Sequence, residues 1–252
     1  MITVSATIIL VSVILVGLVF ALTNGLHDAS SVVATFINCG AASPKQAIAM
    51  ASFFGLVGAV LGGNLVADAI SELIDLPMNT TLLSILFAAI FGATLWNLLT
   101  WKLGLPSSST HALIGGIIGA VVVSSGGDSI VWGWSELIGE NHEITGIVKV
   151  IAALFLSPLI GFLVAFLLEK TSKLLLRNAR VTINHRINQL QWIIVAGLSY
   201  SHGSNDTQKI IGIITLALAA WSGTASESAP LWVRGSGGLV MFMGTLLGDG
   251  VL

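Results

Sequence analysis

Charge is what this chain mostly lacks. Asp, Glu, Lys and Arg make up 9% of its 252 residues, against roughly 25% in a soluble globular protein. With 55% hydrophobic residues and a mean hydropathy of +0.96, that shortage excludes a water-covered domain and defines an integral membrane protein with several spans. The single cysteine, Cys39, excludes a disulfide framework or a cysteine metal site within one chain. The basic arm or patch that nucleic acid would need is missing. No basic residue precedes the first apolar run, so residues 3–22 read as a retained span and not as a cleaved signal peptide. The alternating ten-residue strands of a membrane barrel are also missing. So are the G-x-x-x-x-G-K-[ST] loop of a nucleotide-driven motor and the G-x-S-x-G elbow of a hydrolase.

What is present is a series of stretches free of Asp, Glu, Lys and Arg, running 1–27, 29–44, 46–67, 76–101, 103–127, 150–168, 187–205, 210–226 and 235–248. A membrane helix needs about 20 mostly apolar residues. The expected fold class is therefore an all-α integral membrane protein, a polytopic helical bundle. The loops sort by sign. Asp68, Glu72 and Asp75 share one connection, and Asp128, Glu136, Glu140 and Glu143 another. Lys170, Lys173, Arg177, Arg180 and Arg186 cluster in a third. The positive-inside rule puts that basic segment in the cytoplasm. Loops 128–143 and 68–75 then fall outside, and Lys102 and Lys45 inside. Trp96, Trp101, Trp132, Trp134, Trp192 and Trp232 lie near span ends, as interfacial anchors do.

The chain also repeats itself. Gly25-Leu26-His27-Asp28 and Gly203-Ser204-Asn205-Asp206 share the form G-x-[HN]-D, each between two apolar arms. Further on, "GAVLGGNLV" (58–66) matches "GTLLGDGVL" (244–252) in spacing. An odd number of crossings between the two units makes the repeat inverted, the plan of secondary transporters whose substrate sits at broken helices near the midplane. The expected division is residues 1–168 as the first transmembrane repeat, 169–186 as a basic cytoplasmic connector, and 187–252 as the start of the second repeat. The second unit has no counterpart of the hydroxyl run near residue 107, so a partial chain is expected.

Three polar stretches interrupt the apolar arms, and each is expected to break its helix. In "GLPSSSTHALIGG" (104–116), Gly104 and Pro106 end one span, because proline lacks the N–H a helix interior needs. Ser107, Ser108, Ser109 and Thr110 then open the next helix. A helix N-terminus offers unpaired N–H groups and partial positive charge, so these hydroxyls either cap a re-entrant helix or complete an oxyanion cradle. In "TNGLHDASS" (23–31) and "SHGSNDTQK" (201–209), Asp28 and Asp206 put carboxylates inside spans, where each costs at least about 2.5–3.5 kcal/mol and marks a functional site. As like charges they are not primary ligands of an anion. They suit a coupling cation, Na⁺ or H⁺, helped by Asn24, Asn205 and Thr207, with Thr35 as a further hydroxyl. One of them also suits the P–OH of hydrogen phosphate. Lys209 either neutralises Asp206 or the anion, or snorkels to the interface. His27, His111 and His202 adjoin the breaks without the spacing of a zinc motif, which leaves hydrogen-bonding or proton-relay roles.

The stretches "NGLHDASSVVATFI", "LWNLLTWKLGLPSSSTHALIGGIIGA" and "SHGSNDTQKIIGIITLAL" resemble the signatures of the inorganic phosphate transporter (PiT) family, its bacterial members above all. The resemblance extends over essentially the whole chain. It implies cation-coupled uptake of inorganic phosphate through an inverted-repeat helical fold. The substrate would be held by Ser107, Ser108, Ser109 and Thr110, with Asp28, Asn205 and Asp206 near the anion and cation sites. It also implies a second hydroxyl motif later on, which this chain does not contain. Ser31 departs from the family, which usually has Asn there, so a contact made through that amide is weakened or remade. Some members of the family carry sulfate, and both Na⁺ and H⁺ drive its members. The expected cofactors are none beyond the coupling ion. The expected partners are phosphate, that cation and the lipid of the cytoplasmic membrane, with a homodimer as the assembly to test. Sulfate carriage on the same fold is the alternative function, and an anion channel a more distant one.

Overall fold

The computed structural model describes residues 4–139, 142–224 and 228–248. They form nine α-helices and one 3₁₀ turn, with no strand among the described residues. α1 (Val4–Asn38), α2 (Pro44–Leu61), α4 (Thr80–Lys102) and α7 (Gly146–Leu176) are each long and apolar enough to cross a membrane. The short α3 (Leu65–Ser71) follows α2. α5 (Ser109–Ser125) pairs with α4, and α6 (Trp134–Ile138) lies in the following loop. α8 (Ile183–Ser222) and α9 (Leu231–Leu247) complete the bundle. The chain is thus a multi-pass helical membrane protein.

Local chemistry sets the helix ends. Ser43 and Gln46 close a capping box ahead of Pro44 at the start of α2. Asn79 accepts from the N–H groups of Thr81 and Leu82 at the start of α4. At its far end, Leu105 N donates to Thr100 O (2.9 Å) and Gly104 N to Trp101 O (3.1 Å), with Gly104 at φ +65°. Those two bonds are a Schellman stop, and Pro106 directly after it prevents the helix from resuming. The expected break at Gly104 and Pro106 is therefore present.

The other two expected breaks are absent. α1 runs unbroken through 23–31 and α8 through 201–209. Neither stretch contains proline, and Asn24, Thr207 and Lys209 find partners on other helices, so the backbone stays closed. The spans read separately as 1–27 and 29–44 belong to one helix, as do 187–205 and 210–226. α8 has 40 residues, about 60 Å at 1.5 Å per residue. A break that the motifs did not announce lies between α2 and α3. There Arg234 of α9 donates to the Gly62 carbonyl (2.8 Å) and to Asn64 Oδ1.

α1 packs chiefly against α9 and α2 chiefly against α8. Both crossings are too close for a side chain at their centre. A Cβ on Gly25 would strike the Met241 carbonyl oxygen, and one on Gly203 would strike the Gly55 carbonyl oxygen. Reciprocally, Gly244 faces the Leu22 carbonyl and Gly58 the Tyr200 carbonyl. Each contact in one crossing has its equivalent in the other, in the register of the G-x-[HN]-D and 58/244 sequence matches. The end of the second match, residues 249–252, lies outside the described residues.

The apolar core gathers α1, α4, α5 and α8 around Phe20, Leu86, Ile90, Ile117, Ile210 and Ile214. α7 joins it only at its start, through Ile147 and Val150. Gly146, Ile147 and Val148 are buried beside Val131 and Trp132, while Phe155, Leu159, Phe162 and Phe166 are exposed. The basic connector is only partly a loop, because Glu169 to Leu176 continue α7 and Ile183 opens α8.

Candidate functional site

The two G-x-[HN]-D motifs converge where α1 crosses α8. Asp206 is buried, with three bonding partners and a histidine nearby. Asn24 Nδ2 donates to its Oδ2 (2.9 Å), and Asn205 Nδ2 donates to its Oδ1 (3.1 Å). Lys209 Nζ lies 3.0 Å from Oδ1, and His202 Nδ1 lies 3.6 Å from Oδ2. Ligand-capable atoms of Asp28, His202 and Asp206 all fall within 4.8 Å of one another. Two carboxylates so close need positive charge or a shared proton between them. The group is compatible with a cation, held by carboxylate oxygen and imidazole nitrogen.

Lys209 connects this acidic cluster to the hydroxyl run. Its side chain is 3% exposed, and Nζ also donates to Ser109 Oγ at 2.7 Å. The ammonium thus points inward, between Asp206 and Ser109. The hydroxyl run is arranged in one consistent way. Trp96 Nε1 donates to Ser107 Oγ (3.1 Å), His111 N to Ser108 Oγ (3.4 Å), and Lys209 to Ser109 Oγ. Each serine oxygen accepts in these bonds, which leaves its own O–H proton to donate elsewhere. Capping and anion binding are thus compatible, since the cap uses the Ser108 lone pair and not its proton. Thr110 lies in the first turn of α5, half-buried.

A small cleft opens beside Asp28, lined also by Ser52, His202, Thr207, Met241 and Thr245. Thr207 is buried and its Oγ1 donates to Met241 Sδ (3.2 Å). Motif reading did not single out Ser52. It is 1% exposed, and its Oγ has no hydrogen-bond partner among the described residues. Its signal was faint, a lone hydroxyl in the apolar helix "MASFFGLVGAVL". Asn97 of α4 was missed in the same way. It too is 1% exposed, with both ends of its amide unpartnered among the described residues.

Not every sequence candidate arrives at the site. His111 and Thr35 are exposed. The His27 ring sits 6.4 Å from that of Trp101 and lines a separate recess with Thr23 and Leu98. Of the three histidines, only His202 joins the carboxylates.

Two unbroken long helices, α1 and α8, are each crossed at glycine by a partner helix, and a carboxylate–lysine–hydroxyl chain runs from α8 to the start of α5; together they define a polytopic helical membrane protein with charged groups buried between its helices. Comparison with known proteins places it more narrowly. A sequence model described as the phosphate transporter family matches residues 24–185 and 169–249. The chain belongs to that family. It is 33% identical over 243 residues to a Bacillus subtilis protein named "Probable low-affinity inorganic phosphate transporter", covering 96% of this chain and 69% of that one. A Mycobacterium bovis protein of the same name is 36% identical over 242 residues, covering 95% of this chain and 55% of that one. The chain thus spans between about half and about two thirds of the length of these relatives. A solved structure titled "The sodium-dependent phosphate transporter" superposes with a TM-score of 0.78 at 18% identity, covering 97% of this chain and 76% of that one.

Proposed function

We propose that the chain carries inorganic phosphate across the cytoplasmic membrane as a cation-coupled secondary transporter, by alternating access, and that it is not an enzyme. The observation that carries this reading is the bond from Lys209 to both Asp206 and Ser109. It joins a carboxylate pair suited to a cation with a hydroxyl run suited to an oxyanion. The relatives named as inorganic phosphate transporters support the choice of anion.

In this reading Ser107, Ser108, Ser109 and Thr110 turn their O–H protons, with the N-terminal N–H groups of α5, toward the anion. Asp28 and Asp206, with Asn24, Asn205 and Thr207, form the cation-coupling set. The cation is needed because a doubly charged anion entering a membrane interior without compensation meets a large desolvation cost. The matched glycine crossings give α1–α9 and α2–α8 equivalent close contacts. With the basic loop inside, the two units run in opposite directions through the membrane, so that rocking one against the other exposes the site to each side in turn. His27, His111 and His202 remain candidates for proton relay, His202 foremost because it alone touches the carboxylates.

The test is uptake of labelled phosphate into proteoliposomes holding the protein, with sulfate as competitor and Na⁺ and pH gradients imposed separately. Phosphate uptake that sulfate leaves intact is the expected result, and the effective gradient names the cation. Uptake of sulfate in place of phosphate would transfer the reading to a sulfate carrier of the same fold.

A further inference from the structure

The two halves of the site are not equivalent, and the difference lies three residues after each aspartate. In the register set by the glycine crossings, Asp28 corresponds to Asp206, and Ser31 corresponds to Lys209. Ser31 is exposed and its Oγ donates to the Asp28 carbonyl. Lys209 is 2% exposed and its ammonium rests 3.0 Å from Asp206 Oδ1. One half-site therefore holds a covalently attached cation where the other holds none. A monovalent cation on carboxylate and hydroxyl oxygens would sit much as this ammonium does, between Asp206 and Ser109.

We propose that Lys209 is a tethered substitute for a transported cation, so that the Asp206 half-site is permanently filled and coupling runs through a single monovalent cation at Asp28. Charge counting leads there directly. The cluster has two carboxylates and one ammonium, with His202 as the only other titratable group among Asp28, His202 and Asp206. With neutral imidazole its net charge is −1, and one Na⁺ or one proton removes that negative charge, which would otherwise repel the incoming anion; the anion's own charge then meets the hydroxyl run and the α5 N-terminus. The cleft beside Asp28 supplies the remaining ligands, Thr207 and the unpartnered Ser52 hydroxyl. The same tether fixes the height of Ser109, so the hydroxyl run is positioned before any cation binds.

This inference rests on the phosphate-carrier reading, and the experiment separates the two. Initial rates of phosphate uptake into proteoliposomes are measured against Na⁺ at fixed pH, and against proton concentration at fixed Na⁺. The proteins are the wild type, Asp28→Asn, Lys209→Ser and the double variant Asp206→Asn/Lys209→Ser. The Hill coefficient for the driving cation bounds the number of sites from below. The wild type is expected to show an order of about one. Lys209→Ser, which copies the first half-site, raises it to about two because a mobile cation must replace the ammonium. The double variant removes the carboxylate and its tethered partner together and keeps the order at about one. Asp28→Asn loses cation dependence. An order of two in the wild type overturns the proposal, and this measurement needs no variant to fold. It is likewise overturned if Lys209→Ser keeps an order of one, or is inserted yet inactive at saturating cation. Loss of cation dependence in the double variant would assign coupling to Asp206 instead. No phosphate uptake by the wild type under either gradient would remove the functional reading itself.

Discussion

Asp206 and Lys209 form an ion pair one turn apart on α8, with N···O at 3.0 Å and both side chains below one-tenth exposed. Each charge is retained in the membrane interior by the other. Removing one partner leaves the other buried and uncompensated, which typically costs about 3–5 kcal/mol. Asp206→Asn alone is therefore expected to abolish uptake and to lower the melting temperature of the detergent-purified protein. An unchanged melting temperature would mean that the pair contributes nothing to the fold.

Asp28→Asn is expected to abolish coupled uptake for a different reason. Asp28 has no tethered ammonium at the equivalent position, so its loss removes a cation ligand and leaves no buried charge stranded. The variant should insert and melt like the wild type. Uptake assays on membranes with matched protein content check this, and retained coupled uptake would refute the assignment.

Ser109→Ala deletes the hydroxyl that accepts from Lys209 at 2.7 Å. It also removes the O–H proposed to donate to the anion; hydrogen bonds to charged groups contribute about 1.5–3 kcal/mol, so the phosphate concentration for half-maximal uptake should rise by about ten-fold or more. Ser109→Thr keeps the hydroxyl and should recover most of the affinity.

The glycine crossings can be tested by contrast. Gly25→Ala and Gly203→Ala push a methyl group into opposing backbone, whereas Gly92 and Gly115 face open space. Overpacking usually costs about 1–3 kcal/mol. The first two variants should melt at clearly lower temperature and transport poorly, and Gly92→Ala and Gly115→Ala should resemble the wild type. Equal melting for all four would show that the crossings tolerate separation.

Arg234 donates from two nitrogens to Gly62 O and Asn64 Oδ1, which fixes the α2–α3 break against α9. Lysine has no planar fork with which to make both bonds at once. Arg234→Lys and Arg234→Ala are both expected to increase proteolysis or cysteine labelling at residues 62–64. Equal protection in Arg234→Lys would reduce the role to charge alone.

The sequence by itself determined that this is a helical membrane protein, because 9% charged residues cannot cover a water-exposed surface. It determined the stop at Gly104 and Pro106, since a positive φ and a missing N–H are local properties of those residues. It also singled out Asp28 and Asp206 as candidates, because a carboxylate in an apolar arm is conspicuous in one dimension. The helix breaks expected at 23–31 and 201–209 failed for the complementary reason. Polar side chains do not by themselves open a helix, whose backbone bonds they leave intact, and here several pair with other helices, as Asn24 meets Asp206 across 182 positions. Only the tertiary structure decided that Lys209 faces inward to Asp206 and Ser109, that His27 and His111 lie apart from His202, and that Ser52 and Asn97 are buried. A lysine's destination depends on which carboxylate lies within reach of its four-carbon stem, and that distance exists only once the helices have packed.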